Sequence, residues 1–407
     1  MRIAYIAPEL PGLSSTFVYK EIFALEELDI AVLPFSIHQN LTGSDNTAVN
    51  KLKNRTQILY EKPIARLFID NLTTFLGSPF RYLYCICLAI IDSFHYVHKP
   101  RVAFGILYRF FQAGSLARDI VKNDVLHIHA HFAHFPTDIA MYAGIITDVP
   151  FSFTAHANDI FVNYWLLQQK VQRSKFVATI SEFNIDYLDK LGCDSRKIRL
   201  IRCGVDGNDY PTTLTKSPNA PIKLGFLGRL VEKKGATVLL HACKRLKDSK
   251  IDFRLEILGD GPLSPELKFL AEELNLQDEV EFRGKVDNTE VFPWLNSIDI
   301  FILPAQKDSQ GDMDGIPVAL MEAILCDTAV ISTALSGIPE LVRHNETGLL
   351  AIPGDSTSLA ENIELLIKSS SLQSELSKNA KLLVNTEFNS NINAERLHSL
   401  FLADVSS

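Results

Sequence analysis

Long apolar runs are missing from this sequence. The apolar run Tyr82–Ile91 ends after ten residues, about half of what a bilayer-spanning helix needs. No charged leader or apolar core of a signal peptide precedes the first expected strand, Ile3–Ala7, so the expected compartment is the cytoplasm. Cysteine is sparse and scattered, at 85, 87, 193, 203, 243 and 326. Cys85-x-Cys87 lacks the two-residue gap of common zinc or redox pairs, so all six thiols are expected to be reduced and mostly buried. No dinucleotide fingerprint follows a strand: Gly259-Asp260-Gly261 runs straight into Pro262, which argues against a dehydrogenase. Internal repeats and low-complexity tracts are absent too.

What remains is a soluble globular composition, 47% hydrophobic and 22% charged, in a chain too long for one ordinary core. At 407 residues it suits two α/β domains. The net charge of −8 is unevenly spread. Residues 1–210 carry 21 basic and 20 acidic side chains, and the remainder carries 19 and 28. An acidic second half lacks the basic face that nucleic acid requires, so no nucleic-acid partner is expected. Residues 51–122 run the other way, with 11 basic and 4 acidic residues.

The most informative stretch lies between an expected strand (Asp299–Leu303) and another (Ala329–Thr333). A polar loop ends in Asp314-Gly315-Ile316-Pro317-Val318, and a helix is expected from about Pro317 to Leu325. Pro suits a first helical turn, so the N–H groups of Ile316, Val318 and Ala319 should point back into the loop. Such a helix start favours an anion, typically phosphate. Asp314 and Glu322 bracket it at a spacing of eight. Upstream, the strand Ile222–Leu227 leads through Gly228 into a loop flanked by Arg229 and Lys234, again at a helix start. Alone this would be a solvated basic loop. At the same sheet edge as Asp314, a diphosphate site explains it better.

Three stretches of the first half carry candidate chemistry. The loop Pro8–Phe17 ends in Ser14, Ser15 and Thr16, hydroxyl residues able to cap the helix beginning near Phe17, and its position makes it ligand-facing or merely a capped turn. In Val125–His134, alternation puts His127, His129 and His131 on one strand face. A metal is not expected there, because no nearby carboxylate or Cys completes a ligand set; one or two histidines lining a cleft is the favoured reading. His156 ends a short apolar strand beside Asn158 and Asp159, at a strand's carboxyl end. Finally, residues 51–122 are expected to be mostly helical, with Phe80-Arg81-Tyr82, Phe94-His95-Tyr96 and Tyr108-Arg109-Phe110-Phe111 interleaving rings and cations. That pattern fits an anionic membrane surface or an ordinary buried helical insertion.

The setting Asp314-Gly-Ile-Pro…Glu322-Ala323, followed by Ser336-Gly-Ile-Pro-Glu340, resembles family 4 retaining glycosyltransferases. Its local wording resembles the subgroup that builds bacterial exopolysaccharides such as colanic acid. The family's first acid is usually Glu; here Asp314 has a reach shorter by one methylene. The resemblance implies the α/β GT-B fold: two Rossmann-like, doubly wound domains facing a cleft. Residues 1–206 would form an acceptor-binding domain with an insertion at about 51–122. A linker would follow at 207–221, a nucleotide-sugar domain at 222–385, and a C-terminal helix at 386–407 packing back on the first domain. It further implies donor contacts from Gly228, Arg229, Lys234, Asp260, Gly261, Arg283, Gly315, Ile316, Pro317, Val318 and Glu322. Arg229 and Lys234 would hold the diphosphate, Glu322 the ribose, and Asp314 and His156 the sugar. Ser14, Ser15 and His131 would lie on the acceptor side. The substrates would be a UDP- or GDP-sugar and a saccharide acceptor, with a polyprenyl-diphosphate-linked oligosaccharide as candidate. No cofactor or metal is required, and a peripheral position on the inner face of the cell membrane would follow from residues 51–122. A GT-B sugar-nucleotide epimerase and a non-catalytic nucleotide-sugar-binding scaffold are the rival readings.

Overall fold

The computed structural model describes residues 1–12, 15–39, 46–210 and 221–405. The chain forms two compact units. One holds residues 1–180, 185–201 and the chain from Ala394 onward; the other holds 181–184 and 202–393. The long segment of the second unit thus begins at Arg202, a few residues before the expected linker. Val205 and Tyr210 explain the difference, since both are buried in its core. Most of the expected linker, 211–220, lies outside the described residues.

The first unit is built on a parallel sheet whose strands are β1 (Arg2–Glu9), β2 (Ala31–His38), β3 (Gln57–Ile58), β4 (His127–His131), β5 (Phe151–Ala155), β6 (Val177–Thr179) and β7 (Ile198–Leu200). Their order is β3-β2-β1-β4-β5-β6-β7. The second unit's sheet contains β8 (Ile222–Leu227), β9 (Phe253–Leu258), β10 (Val280–Gly284), β11 (Ile300–Ile302), β12 (Ala329–Thr333) and β13 (Leu349–Ala351), ordered β10-β9-β8-β11-β12-β13. Each order reverses direction once, between β1 and β4 and between β8 and β11. Ligands of doubly wound sheets collect at such switch points, beyond the carboxyl ends of the strands.

Strand β1 is buried along most of its length because helices cover both faces of the sheet. Ile3 to Ala7 have no exposed surface. The C-terminal helix Ser390–Val405 supplies Ala394, Leu397 and Phe401 to this core, beside Tyr5, Phe176 and Ala178. The Phe401 ring lies 5.0 Å from the His127 ring and 5.8 Å from Phe176. Four of the six free thiols are buried; Cys87 is exposed and Cys203 half-buried.

The insertion consists of helices Thr47–Arg55, Ile64–Gly77, Pro79–Phe94 and Pro100–Lys122, plus the short edge strand β3. Its aromatic and cationic residues divide between core and surface. Tyr82, Ile106, Phe110 and Leu116 are buried, and Arg109 turns inward to pair with the buried Asp138 at 2.9 Å. Residues 108–111 are therefore divided between the two readings, half surface and half core. Ile64, Phe68, Leu72 and Leu76, four residues apart on one helix, are all exposed, as are Phe80, Tyr84, Ile91 and Phe94 on the next. Asp92 anchors that second helix. It accepts from the Arg173 guanidinium at 2.5 and 2.9 Å and from the Tyr142 hydroxyl at 2.8 Å.

Phe401→Ala opens a cavity in the first unit's core and should cost about 3–5 kcal/mol. Urea denaturation followed through Trp165 fluorescence in a Trp294→Phe background is expected to show a lower midpoint for the first unit.

Candidate active site

In the second unit the site is assembled from the loops after β8, β9 and β11. After β8, Gly228 donates to the Leu258 carbonyl at 3.0 Å, and Leu230 donates to the Asp260 carbonyl at 3.0 Å. The first two loops thus travel together. They can touch because Gly259, at φ +131°, has no Cβ to strike the Gly228 carbonyl. A short 3-10 turn, Glu232–Lys234, then ends at Gly235 (φ +70°), where a Cβ would collide with the Pro304 carbonyl. That contact brings the third loop alongside. The Gln306 N–H donates to the Lys233 carbonyl at 2.9 Å, and the Gln306 amide donates to the Glu232 carbonyl at 2.9 Å.

This backbone lacing sets two lysines against two aspartates. The Lys234 ammonium lies 2.6 Å from Asp314 Oδ2. Lys233 lies 3.4 Å from Asp314 Oδ1 and 2.9 Å from Asp312 Oδ2. Burial opposes charge on Asp314, yet Lys234 and Lys233 together hold its carboxyl below the ordinary carboxylate value. Burial likewise works against Lys233, and Asp314 and Asp312 reverse the shift and raise its pKa. Asp314 and Lys233 are therefore charged at neutral pH. Arg229 is exposed and makes no ion pair among the described residues.

The helix beyond the third loop is Val318–Leu325, with Pro317 at the N-cap position (φ −65°, ψ 125°) and no side-chain cap. It starts one residue later than expected, and Gly315, Ile316 and Pro317 form the buried approach to it. The first-turn N–H groups of Val318 and Ala319 belong to the set that a helix start leaves without intrahelical partners. One turn in, Glu322 accepts from the Tyr210 hydroxyl at 2.9 Å. Burial first, and then Glu322, raises the Tyr210 pKa.

Not every expected donor residue joins this group. Asp260 is exposed and its carboxylate caps its own turn, accepting from the Gly261 N–H at 2.8 Å. Arg283 pairs with Glu256 at 3.0 Å, and the Trp294 indole donates to the same oxygen at 2.9 Å. Arg283 is thus tied back to strand β9 instead of reaching toward Lys234 and Asp314.

In the first unit His127 and His129 lie within β4, His131 ends it, and His156 follows the carboxyl end of β5. All of the β4 histidines are fully buried. His127 and His129 share Ser152 Oγ at 2.7 and 2.8 Å, and His129 also meets Thr154 Oγ1 at 3.0 Å. These two are structural polar groups satisfied across the strand pair. Burial holds the His129 ring well below its ordinary pKa, with the other histidines adding to the effect. His131 Nδ1 lies 3.1 Å from His156 Nε2, while its Nε2 lies 3.0 Å from Glu21 and 2.8 Å from the Tyr5 hydroxyl. Tyr5 also contacts Glu21 Oε1. With no exposed surface, His131 cannot touch an acceptor directly; its partner is His156. Ser15 occupies the N-cap of the helix Thr16–Glu27 without a side-chain cap bond, and Ser14 lies outside the described residues.

Glu21 is the carboxylate that local sequence could not supply. Together with His129 and His131 it places three ligand-type atoms within 4.8 Å of one another. The same ring nitrogens are engaged by Ser152, Thr154, Tyr5 and His156. Asp159 was visible only as a neighbour of His156. Its buried carboxylate accepts from the N–H groups of Ala133 (2.7 Å), His156 (3.1 Å) and Ala157 (2.9 Å), locking the two histidine loops together. Lys170, also fully buried, donates to the Ala133 carbonyl at 2.5 Å and pairs with Asp138 at 2.7 Å. His156 is 5% exposed, packed between Phe132 at 4.5 Å and Phe17 at 4.9 Å, and burial keeps its ring neutral.

Known proteins share this architecture and sequence. The family described as glycosyl transferases group 1 matches residues 215–383, and glycosyltransferase family 4 matches residues 79–208. The putative colanic acid biosynthesis glycosyltransferase WcaL of Escherichia coli (strain K12) is 37% identical, over 99% of this chain and 100% of that one. The amylovoran biosynthesis glycosyltransferase AmsK of Erwinia amylovora is 36% identical over 54% of each chain. Among solved structures, Anabaena Alr3699/HepE in complex with UDP superposes with a TM-score of 0.73 at 16% identity, covering 99% of this chain and all of that one. The glycosyltransferase from Rickettsia africae ESF-5 gives 0.71 at 17%, covering 99% and 98%. At that identity these structures establish the fold, and WcaL establishes kinship over nearly the full length. The chain belongs to glycosyltransferase family 4, and its two sheets are those of the GT-B fold.

Proposed function

We propose that this glycosyltransferase moves a hexosyl group from a UDP- or GDP-sugar to a saccharide acceptor with retention at the anomeric carbon, in the synthesis of a cell-surface polysaccharide. The observation that carries the reading is the Lys233–Lys234 pair held against Asp312 and Asp314 beside the start of helix Val318–Leu325. Departure of a nucleoside diphosphate builds negative charge on its β-phosphate. Lys234, the exposed Arg229 and the helix N-terminus are positioned to stabilise that charge. A diphosphate entering the site competes for Lys234, freeing Asp314 to share its carboxylate with a sugar hydroxyl. Glu322, already oriented by Tyr210, holds the ribose. Retention follows front-face departure: the leaving phosphate takes the acceptor hydroxyl's proton as that oxygen attacks the same face. No step calls on a metal.

The acceptor favoured by this reading is a polyprenyl-diphosphate-linked oligosaccharide, met at an anionic membrane. No helix among the described residues is long and apolar enough to cross a bilayer. The exposed stripe Ile64, Phe68, Leu72 and Leu76, with Phe80 on the next helix, offers rings and branched chains at the depth where interfacial helices insert. The insertion's excess of basic residues would meet lipid phosphates.

Three outcomes are expected. A panel of UDP, GDP and ADP should raise the melting temperature with one nucleotide by about 5–10 °C near 100 times its Kd, and Lys234→Ala should abolish the shift. No shift with any nucleotide would point to the scaffold reading. Asp314→Asn should keep nucleoside diphosphate binding but lower kcat by about 100- to 1,000-fold, since it removes a contact to the sugar while leaving the phosphate cations in place. Wild-type protein should sediment with phosphatidylglycerol vesicles at low salt and not with phosphatidylcholine vesicles, and Phe68→Asp/Phe80→Asp should abolish sedimentation. Failure of the wild type to bind would exclude the membrane contact.

A further inference from the structure

The loop after β8 carries two adjacent lysines, and the site holds them differently. Lys234 has one carboxylate partner among the described residues, Asp314 Oδ2 at 2.6 Å. Its aliphatic stem runs beside Gly228, where a Cβ would stand 3.7 Å from Lys234 Cδ. Lys233 bridges two carboxylates, lying 2.9 Å from Asp312 Oδ2 and 3.4 Å from Asp314 Oδ1. Hydrogen bonds brace both ends of that bridge. The Lys233 carbonyl accepts from the Gln306 N–H at 2.9 Å. Asp312 donates its N–H to Asp308 Oδ1 at 2.8 Å, and its carbonyl accepts from the Asp308 N–H at 2.9 Å. Each oxygen of Asp314 thus has its own lysine, one held once and the other held twice.

A diphosphate that draws Lys234 away removes a cation from Asp314 and sets an anion beside it. The Asp314 side chain is only 11% exposed, so burial and the new anion would both favour the neutral acid. We propose that Lys233 is a positioning residue. Tethered by Asp312, it stays on Asp314 Oδ1 when the donor diphosphate takes Lys234, keeping the carboxylate ionised and aimed with Oδ2 open to the sugar. This rests on the reading that the second unit binds a nucleoside diphosphate sugar. Geometry decides which lysine moves: releasing Lys234 breaks one ion pair, whereas releasing Lys233 breaks two. The charges acting on Asp314 give the sign of the pH effect. Against burial, Lys234 and then Lys233 hold its carboxyl below the ordinary aspartate value, and Asp312 stands behind Lys233. With Lys234 on the diphosphate and Lys233 removed, nothing in that set opposes burial. The carboxyl would then titrate higher, and activity that needs the carboxylate would be lost at a higher pH as the solution is acidified.

The test compares wild type, Lys233→Met and Lys233→Arg in nucleotide binding and in the pH dependence of kcat. Methionine keeps the stem and loses the charge; arginine keeps the charge. Lys233→Met should bind UDP or GDP within about threefold of wild type, while kcat at neutral pH falls about tenfold. The acid limb of kcat, which reports the enzyme–substrate complex, should move to higher pH. Lys233→Arg should restore both the rate and the limb. A limb that Lys233→Met leaves unmoved would overturn the proposal. A loss of nucleotide binding as large as that of Lys234→Ala would also overturn it, since Lys233 would then be a phosphate ligand. If Lys233→Met does not fold, the wild type decides. With nucleotide bound, its Asp314 carboxyl 13C resonance, assigned through Asp314→Asn, should be that of an ionised group at about pH 6, some two units above the ordinary aspartate value. A neutral carboxyl there would sink the proposal. If the wild type binds no nucleotide, the donor reading falls and this proposal falls with it. If nucleotide binds and the limb stays put, only the role of Lys233 is wrong.

Discussion

Parallel strands covered on both faces impose the constraint on which the rest of each unit depends. Such strands are mostly apolar, as Ile3–Ala7 and Ile300–Ile302 are apart from the Tyr5 hydroxyl. Polar groups inside them, such as His127 and His129 against Ser152 and Thr154, satisfy one another, so ligand chemistry gathers where the chain leaves the sheet. Every crossover delivers its loop to the same carboxyl edge. In the second unit three of these loops are laced by backbone hydrogen bonds between 228–230 and 258–260 and between 306 and 233, with the Gln306 side-chain amide adding one to the Glu232 carbonyl. The two glycines at 235 and 259 permit that lacing because a Cβ at either would strike a neighbouring carbonyl. Side-chain placement follows from backbone contact, and electrostatics is built on it.

The two units solve the same problem in different currencies. A site meant to receive a charged or polar ligand must hold its own polar groups without one. The second unit pairs opposite charges. Two adjacent lysines would repel, but Asp312 and Asp314 neutralise them, and partial burial makes the attraction larger than at an open surface. The first unit uses neutral hydrogen bonds: histidines lie against Ser152, Thr154 and one another, with Glu21 at the end of the chain. The difference fits the proposed ligands, since a diphosphate calls for cations and a sugar calls for neutral donors and acceptors.

Much of the candidate site was legible because it is local. Asp314 through Glu322 lies in one loop and one helix, where Pro317 marks the helix start and Glu322 follows one turn in. Arg229 and Lys234 share a second such loop. Lys233 and Asp312 were overlooked although the doubled lysine and the Asp-x-Asp pattern hint at cross-pairing. Arg283, expected among the donor contacts from the resemblance, is paired with Glu256 on the neighbouring strand. Ser15 offered a cap that its side chain does not make. Arg109 belonged to a cationic and aromatic pattern that fitted either a membrane surface or a buried insertion, and Asp138 draws it inward.

By itself the sequence determined the fold class, the family and the residues of each loop, because strand apolarity, turn residues and motif spacing are properties of neighbours along the chain. Tertiary structure alone decided which groups share a proton or a charge. Glu21 meets His131 across 110 positions and Tyr210 meets Glu322 across 112, and Lys234 meets Asp314 across 80. Hydrogen bonds and ion pairs act over about three ångströms whatever the separation in sequence, so only the packed sheets bring these partners within reach.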